Sequence, residues 1–265
     1  MKIAVIGGGN MGLTYAESIY NNFDNTNISI IEKNTDKIKQ LQKETHFSIY
    51  SNASDCIENA EIVLLAVKPQ FINTVFKEIK SLVNPKQIIL SIMAGVTIDS
   101  IHKGLNTPKI VRAMPNLPSQ VGHGVTGFIP SAEVSDVETK QIHAILEATG
   151  PAIKVPNVDA IDAITALSGS GPAYVFYFMN AMMEQAKTLG FNEIESKDIV
   201  LNTFLGTVKL FKSSETPAET WIERVTSKGG TTHAALTSFK ENKIDENIQK
   251  GVQAAFNRAK ELGKS

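Results

Sequence analysis

The first twelve residues constrain the fold of this chain more than any other part of it. Residues 2–6 (KIAVI) are a short apolar run typical of a parallel strand that is buried on both faces. Residues 7–12 (GGGNMG) follow without a spacer and fit the pattern G-x-G-x-x-G. In this pattern the first glycine permits a tight turn, the second lets the backbone approach a pyrophosphate, and the third lets the next helix pack closely.

The residues after this motif place it in a strand–loop–helix unit. An amphipathic stretch at 13–20 and a second apolar run at 28–31 follow it, and that run ends at Glu32. A ribose-binding acid is expected about 20 residues after such a motif. The alternative is a glycine turn that binds nothing. The context favours a dinucleotide site of the Rossmann type.

Length and composition limit the class of protein. A chain of 265 residues exceeds what one core usually holds, so we predict two domains, residues 1–157 and 158–265. The net charge of −1 gives no basis for a nucleic-acid surface, and no apolar run reaches the roughly 18 residues of a membrane span. The single cysteine, Cys56, excludes an internal disulfide and a thiolate metal cluster. With the first strand at the N-terminus and no signal peptide, we expect a cytoplasmic protein without metal, membrane or nucleic-acid partners.

Apolar runs alternate with helical patterns as far as about residue 156, which predicts βαβ units and a parallel sheet. The predicted strands are 2–6, 28–31, 61–67, 87–92, 109–112, 124–129 and 152–155, and the predicted helices are 13–20, 36–44, 69–80, 98–104 and 134–148. From residue 158 onward the patterns are helical only, at 172–189, 194–212, 217–225, 232–241 and 244–262. We therefore predict an α/β fold, with an N-terminal Rossmann-type doubly wound sheet and a C-terminal all-α dimerisation domain.

The prediction of dimerisation comes from the helix at 172–189. It is apolar nearly all round, with the run YVFYFM at 174–179. Such a helix must be buried on several sides, which about a hundred residues can hardly provide alone. We infer an intertwined homo-oligomer whose interface uses this domain.

Ligands of open α/β sheets bind at the carboxyl ends of the strands. The residues that leave three of the predicted strands are 66–70, 93–97 and 113–118. Ala66, Ala94 and Gly95 are small enough for a ring or ribose to pass closely. Lys68 is either a point charge for the cofactor or a solvated lysine. Residues 114–116 (MPN) either wall the nicotinamide or form a stiff loop with a capping asparagine.

Two small-residue segments mark the C-terminal half. Residues 168–173 (SGSGPA) precede the apolar helix, with Ser170 or Gly171 as its cap, and close helix packing explains them equally well. Residues 227–232 (SKGGTT) open a helix, where backbone N–H groups and hydroxyls can hold a carboxylate without an arginine. The alternative is a turn between helices with a threonine cap.

The missing motifs restrict the chemistry. There is no H-E-x-x-H, G-x-S-x-G or Walker loop, and the five histidines are scattered. Oxidation of an alcohol needs a base for the hydroxyl proton. Reduction of a protonated imine needs mainly positioning against a dihydronicotinamide, with a hydroxyl near the ring nitrogen to orient it.

With these segments in view, the chain resembles the Δ1-pyrroline-5-carboxylate reductase family nearly end to end. The resemblance is carried by residues 7–12, 66–69 (AVKP), 94–96 (AGV), 112–116 (RAMPN), 168–174 and 217–236. It implies a Rossmann domain followed by a helical domain, and an interlocked dimer that assembles further, for example into a pentamer of dimers.

The resemblance also implies the site residues. Residues 6–11 would hold the pyrophosphate, and Ser227, Gly230 and Thr231 would bind the substrate carboxylate across the dimer interface. Thr232 would hydrogen-bond the ring nitrogen, and Glu215 would help to place a proton there. With the residues chosen above, the predicted cofactor set is Ile6, Gly7, Gly8, Gly9, Asn10, Met11, Gly12, Glu32, Lys33, Asn34, Asn52, Ala66, Val67, Lys68, Pro69, Ala94, Gly95, Met114, Pro115 and Asn116. The predicted substrate set is Ser227, Gly229, Gly230 and Thr231, and the predicted catalytic pair is Thr232 and Glu215.

Three positions depart from the family pattern. Lys228 stands where most members have proline, and Leu117 replaces a usual threonine. Glu32 can accept hydrogen bonds from a free ribose but would repel a 2′-phosphate, which Lys33 and Asn34 could offset. The sequence therefore leaves the choice between NADPH and NADH open.

The leading hypothesis is an NAD(P)H-dependent reductase that converts 1-pyrroline-5-carboxylate to L-proline, the last step of proline biosynthesis. One alternative is a reductase of another cyclic imine or keto acid in the same superfamily. A second is a non-catalytic, nucleotide-sensing dimer, against which the near-neutral charge and the lack of a basic recognition element count.

Overall fold

A computed structural model describes residues 1–263, and these residues form two compact units. One unit comprises residues 1–172 together with the described residues from 255 onward, and the other comprises Ala173–Ala254. The division between residues 157 and 158 stays a prediction.

The first unit contains one eight-stranded sheet. Its strands are β1 Lys2–Ile6, β2 Asn27–Ile31, β3 Ser48–Tyr50, β4 Ile62–Leu65, β5 Ile88–Ser91, β6 Ile110–Met114, β7 Thr126–Pro130 and β8 Ala152–Lys154. Their order is β3-β2-β1-β4-β5-β6-β7-β8, and every neighbouring pair is parallel except β6 with β7. The chain leaves β1 in one direction for β2 and returns to β4 on the other side. This reversal creates the topological switch point at which α/β sheets bind ligands.

Alternation along the strands divides the core into two layers. Ile3 and Val5 of β1 pack in one buried cluster, whereas Ala4 and Ile6 pack in the other. Successive side chains of a strand point to opposite faces, so a strand that is apolar throughout must be covered on both.

Helices pack against both faces of the sheet. The first unit has α1 Asn10–Asn22, α2 Thr35–Glu44, α3 Ile72–Ile79, α4 Ile98–Leu105, α5 Asp136–Glu147 and α6 Val158–Ile164. Buried residues of α1 and α5 join the first cluster, and those of α3 and α4 join the second. The predicted doubly wound α/β architecture is confirmed.

The second unit is helical, as predicted. It contains α7 Gly171–Thr188 apart from its first two residues, α8 Glu193–Lys212, α9 Ala218–Arg224 and α10 Thr231–Glu241, and α11 Ile244–Leu262 begins in it. The apolar side chains of α7 are largely uncovered in the single chain, with Phe176 58% and Tyr177 76% exposed.

The structure contains elements that the sequence did not predict, among them the strand β3 and the π-helical segment Thr165–Gly169. The three-residue strand β3 was not predicted, because it pairs with β2 through backbone hydrogen bonds and carries no apolar repeat of its own. Of the two residues predicted as the cap of α7, Ser170 directly precedes the helix and Gly171 is its first residue; a cap by the Ser170 side chain stays a prediction. Thr165–Gly169 form a π-helical segment closed by Ser170 N–H donating to the Thr165 carbonyl at 2.9 Å, so Ser170 is in right-handed helical conformation and Gly171 already lies inside α7.

Candidate functional site

The glycine-rich loop lies between β1 and α1, as the motif predicts. Gly7 N–H donates to the Ile31 carbonyl at 2.9 Å, which joins the loop to the end of β2. A Cβ on Gly12 would collide with the Gly7 carbonyl oxygen, so only glycine allows α1 to approach the loop this closely. A Cβ on Gly9, by contrast, would meet no described atom within 4 Å.

The first turn of α1 is open toward this loop. The helix begins at Asn10 with Gly9 as its N-cap, and among the described residues no side chain caps it and no acidic residue lies in its first turn. The backbone N–H groups of residues 10–12 are therefore available to an anion, and the helix dipole favours negative charge at this end. A pyrophosphate fits the chemistry of this loop.

Strand register brings most of the other predicted cofactor residues to the same edge of the sheet. Ile6 lies opposite Ile31 on one side and Leu65 on the other. The residues that leave these strands, Gly7, Glu32 and Ala66, therefore emerge side by side. Ala66 N–H donates to the Ile6 carbonyl at 2.9 Å, which places residues 66–69 beside the loop.

Two predicted residues of this edge lie at the surface. Lys68 is exposed and precedes the 3-10 turn Pro69–Phe71. Asn52 is also exposed and precedes the 3-10 turn Ala53–Asp55. Neither side chain caps the turn that follows it, within the part of the chain that is described.

Gly95 and Asn116 both have structural contacts that the sequence does not reveal. A Cβ on Gly95 would lie 3.1 Å from Leu262 Cβ, so this position lets the end of α11 approach. Asn116 Nδ2 donates to Ser168 Oγ at 3.0 Å, and its Oδ1 accepts from Val125 N–H at 2.9 Å. The Asn116 amide therefore ties the 114–116 loop to the π-helical segment, and it does not cap the 3-10 turn Leu117–Val121 that follows.

A buried ion pair that the sequence did not predict connects strand β6 to helix α6. Arg112 of β6 donates through Nη2 to Asp162 Oδ1 of α6 at 2.9 Å, and the two side chains are 3% and 8% exposed. Among the described residues, Arg112 Nη1 is buried without a hydrogen-bond partner. The residues stand fifty positions apart, and no motif connects them.

The second unit holds the predicted substrate loop. Gly229 has a φ of +73°, a backbone conformation that favours glycine, and Gly230 N–H donates to the Ser227 carbonyl at 3.0 Å. A Cβ on Gly230 would collide with Ser227 Oγ. Gly229 is thus the glycine that the backbone of this turn favours, whereas a side chain at position 230 would require the Ser227 hydroxyl to move.

This turn leads directly into α10. Gly230 occupies the N-cap position, and no side chain in the described ranges caps the helix. The threonine cap considered from the sequence is therefore not present. The hydroxyls of Thr231, which is exposed, and Thr232, which is half-buried, lie in the first turn beside uncapped N–H groups. Lys228 is exposed in the turn, and Glu215 is exposed between α8 and α9.

Two absences hold for residues 1–263. No group of three or more histidine, cysteine, aspartate or glutamate side chains is placed to hold a metal ion. No helix combines the length and the apolar character needed to cross a bilayer.

Comparison with known families gives two matches along the chain. Residues 159–262 match the model "Pyrroline-5-carboxylate reductase dimerisation", and residues 2–95 match "NADP oxidoreductase coenzyme F420-dependent". The first match indicates a homo-oligomer, and it includes the exposed apolar helix α7.

Relatives of known identity resemble the chain over its whole length. A pyrroline-5-carboxylate reductase of Pseudomonas aeruginosa is 32% identical over 98% of this chain and 96% of its own. A solved pyrroline-5-carboxylate reductase from Coxiella burnetii is 35% identical with a TM-score of 0.90, covering 99% of this chain and 98% of that one. The enzyme from Plasmodium falciparum, solved with NADP bound, is 26% identical with a TM-score of 0.88 over the same shares.

Proposed function

This chain belongs to the pyrroline-5-carboxylate reductase family, and from that premise we propose how its own residues carry out the reaction of the family. The reaction is the NAD(P)H-dependent reduction of 1-pyrroline-5-carboxylate to L-proline. A bound dihydronicotinamide supplies the hydride, which forms a C–H bond at the imine carbon while the imine nitrogen keeps the proton it gained beforehand.

The glycine loop and the edge of the sheet hold the cofactor in this proposal. The uncapped first turn of α1 binds the pyrophosphate, and Glu32, Lys33, Asn34 and Asn52 lie toward the adenosine end. Residues 66–69, 94–95 and 114–116 line the remainder. The Asn116 amide, held by Ser168 and Val125, gives the 114–116 loop a fixed shape.

The observation that carries the proposal is the loop at 227–232. Its tight turn and the uncapped start of α10 place backbone N–H groups and hydroxyls together, as a carboxylate site requires. Ser227, Gly229, Gly230 and Thr231 bind the substrate carboxylate, and Thr232 orients the ring nitrogen. Glu215 helps to place the proton on that nitrogen.

Replacement of Thr232 tests its role. Thr232→Ala removes the hydroxyl and should lower kcat on the order of tenfold to a hundredfold, with dinucleotide affinity unchanged. Thr232→Ser keeps the hydroxyl and should retain most of the activity. Thr237→Ala is the matched control, because the Thr237 hydroxyl on the same helix donates to the His233 carbonyl. A Thr232→Ala enzyme with near-normal kcat would remove Thr232 from the mechanism.

We further propose that each substrate loop serves the cofactor bound by the partner subunit. Coexpression of two impaired variants tests this arrangement, one with Gly12→Ala in the dinucleotide loop and one with Thr232→Ala. Mixed dimers then contain one intact composite site, and about one quarter of the wild-type activity should return. If both halves of a site came from one chain, no mixed dimer would contain an intact site, and only the residual activity of the variants would be measured.

The substrate and the state of assembly are tested separately. Stopped-flow loss of dihydronicotinamide absorbance on addition of 1-pyrroline-5-carboxylate measures turnover directly, and a panel of other cyclic imines and keto acids tests selectivity. We propose that the dimers assemble into a pentamer of dimers, for which light scattering should give about ten times the mass of one chain. The free thiol of Cys56 suits a reducing compartment, and we propose the cytoplasm.

A further inference from the structure

The end of β2 contains a carboxylate that is fixed in place beside the phosphate loop. Glu32 follows Ile31, whose carbonyl accepts the Gly7 N–H, so Glu32 leaves its strand next to the glycine loop. Glu32 N–H donates to the Tyr50 carbonyl at 3.0 Å, which holds its backbone to β3. The position is therefore set by hydrogen bonds to the strands on both sides.

The carboxylate itself is oriented by the turn that follows. Its Oε1 accepts from Lys33 N–H at 2.7 Å and from Asn34 N–H at 2.9 Å. Its Oε2 faces Gly8, where a Cβ would lie 3.3 Å from this oxygen. One oxygen thus anchors the side chain, and the other is directed toward the loop that the proposed dinucleotide approaches.

The side chains of the two residues that follow Glu32 have other partners. Lys33 Nζ donates to the Ser51 carbonyl at 2.8 Å and forms an ion pair with Glu78 at 2.5 Å. Asn34 Oδ1 caps α2 by accepting from Lys37 N–H at 2.9 Å. The sequence suggests that Lys33 offsets the charge of Glu32, but the structure pairs Lys33 with a different carboxylate.

We propose that Glu32 is a specificity-determining residue that makes this chain prefer NADH to NADPH. The proposal rests on the dinucleotide site described under the proposed function. The Oε2 atom of Glu32 accepts a hydrogen bond from a free ribose 2′-hydroxyl, and its charge repels a 2′-phosphate. The ion pair between Lys33 and Glu78 preserves the selectivity by holding the ammonium group away from that phosphate.

Calorimetric titration of the intact protein with NADH and with NADPH tests the proposal through binding rather than turnover. The wild type should bind NADH about tenfold more tightly than NADPH, as expected for a carboxylate near a phosphate of almost two negative charges. Glu32→Gln keeps an oxygen for the two backbone N–H groups but removes the charge. This variant should bind NADPH about tenfold more tightly than the wild type does, and NADH more weakly.

Two further variants separate a local effect from a change in net charge. Glu78→Gln releases Lys33 and should improve NADPH binding about threefold, with NADH binding unchanged. Glu58→Gln removes the same charge from an exposed residue that precedes β4. Glu58 lies toward the amino ends of the strands, away from the carboxyl ends where the dinucleotide is proposed to bind, so this variant should change neither affinity.

The possible outcomes distinguish this inference from the proposed function. Equal affinities of the wild type, or tighter binding of NADPH, would overturn the role of Glu32 and leave the reductase assignment intact. Equal responses to Glu32→Gln and Glu58→Gln would also overturn it. Binding of neither dinucleotide would overturn both the inference and the proposed dinucleotide site.

Discussion

The buried ion pair between Arg112 and Asp162 provides a sharp test of how β6 and α6 are held together. The Nη2–Oδ1 distance is 2.9 Å, and both side chains are almost completely buried. At an effective dielectric constant of about 20, the gross Coulomb attraction at this distance is about 6 kcal/mol. The cost of removing two charges from water offsets most of that attraction, so the intact pair contributes little net free energy of folding.

Removing one partner has a much larger effect than the net value of the pair. Asp162→Ala leaves the Arg112 guanidinium buried and without a compensating charge, and its Nη1 already lacks a partner among the described residues. We expect the free energy of unfolding to fall by about 3–5 kcal/mol. The double variant Arg112→Met with Asp162→Ala removes both charges and should be less destabilised than Asp162→Ala alone.

Urea unfolding followed by far-ultraviolet circular dichroism measures these differences. Protomer concentration must be held constant, because assembly contributes to the apparent stability. Asp159→Ala is the matched control, since Asp159 lies on the same helix but is 70% exposed in its ion pair with Lys260. The control should lose no more than about 1 kcal/mol. A similar loss in Asp159→Ala and Asp162→Ala, or a double variant less stable than Asp162→Ala, would refute the reasoning.

Three further predictions concern single side chains of the first unit. The pKa of Glu138 lies below its ordinary value of 4.5, mainly because Lys109 donates a hydrogen bond to its carboxylate. The ionised Glu138 therefore stabilises the folded state fully above that pH, and this stabilisation is lost as the pH falls through the folded-state pKa. Glu138→Gln should therefore flatten the acid limb of a stability–pH curve. Burial, with a smaller effect of a nearby aspartate, raises the pKa of the half-buried Cys56 thiol to about 11, so iodoacetamide should label it slowly at neutral pH and quickly in urea. Tyr15→Phe removes a buried 2.9 Å hydrogen bond to Thr126 and should cost about 1 kcal/mol in urea unfolding.

Strong local patterns were sufficient to predict most of the fold. Seven of the eight strands overlap predicted runs. The signal is strongest in the central strands β1, β4 and β5, which are buried on both faces and are therefore apolar at almost every position. The glycine motif predicted the loop before α1, since the positive φ of Gly7 and the close approach of Gly12 to the Gly7 carbonyl are both set within the motif. The strand β3 was missed because its pairing with β2 is a property of the sheet edge.

Some features of the candidate site could likewise be predicted from local sequence, whereas others depend on tertiary contacts. The sequence indicated the glycine loop and the acid at the ends of strands, and the hydroxyl-rich segment before α10. The roles of these residues in binding cofactor and substrate stay a prediction. The sequence also offered a threonine as the cap of α10, and Lys33 with Asn34 as groups that offset the repulsion between Glu32 and a 2′-phosphate. The structure gives the N-cap position of α10 to Gly230 and pairs Lys33 with Glu78, forty-five residues away.

Local pattern by itself determined most strands and helices along the chain, the glycine loop and the apolar character of α7, because each depends on residues close together in the chain. Tertiary structure alone decided that Arg112 meets Asp162, that Asn116 meets Ser168 and that Glu32 is directed toward Gly8. These contacts join residues far apart in sequence, and which charge meets which partner depends on how strands and helices pack. Periodicity records the face on which a residue lies, but it holds no information about what lies opposite.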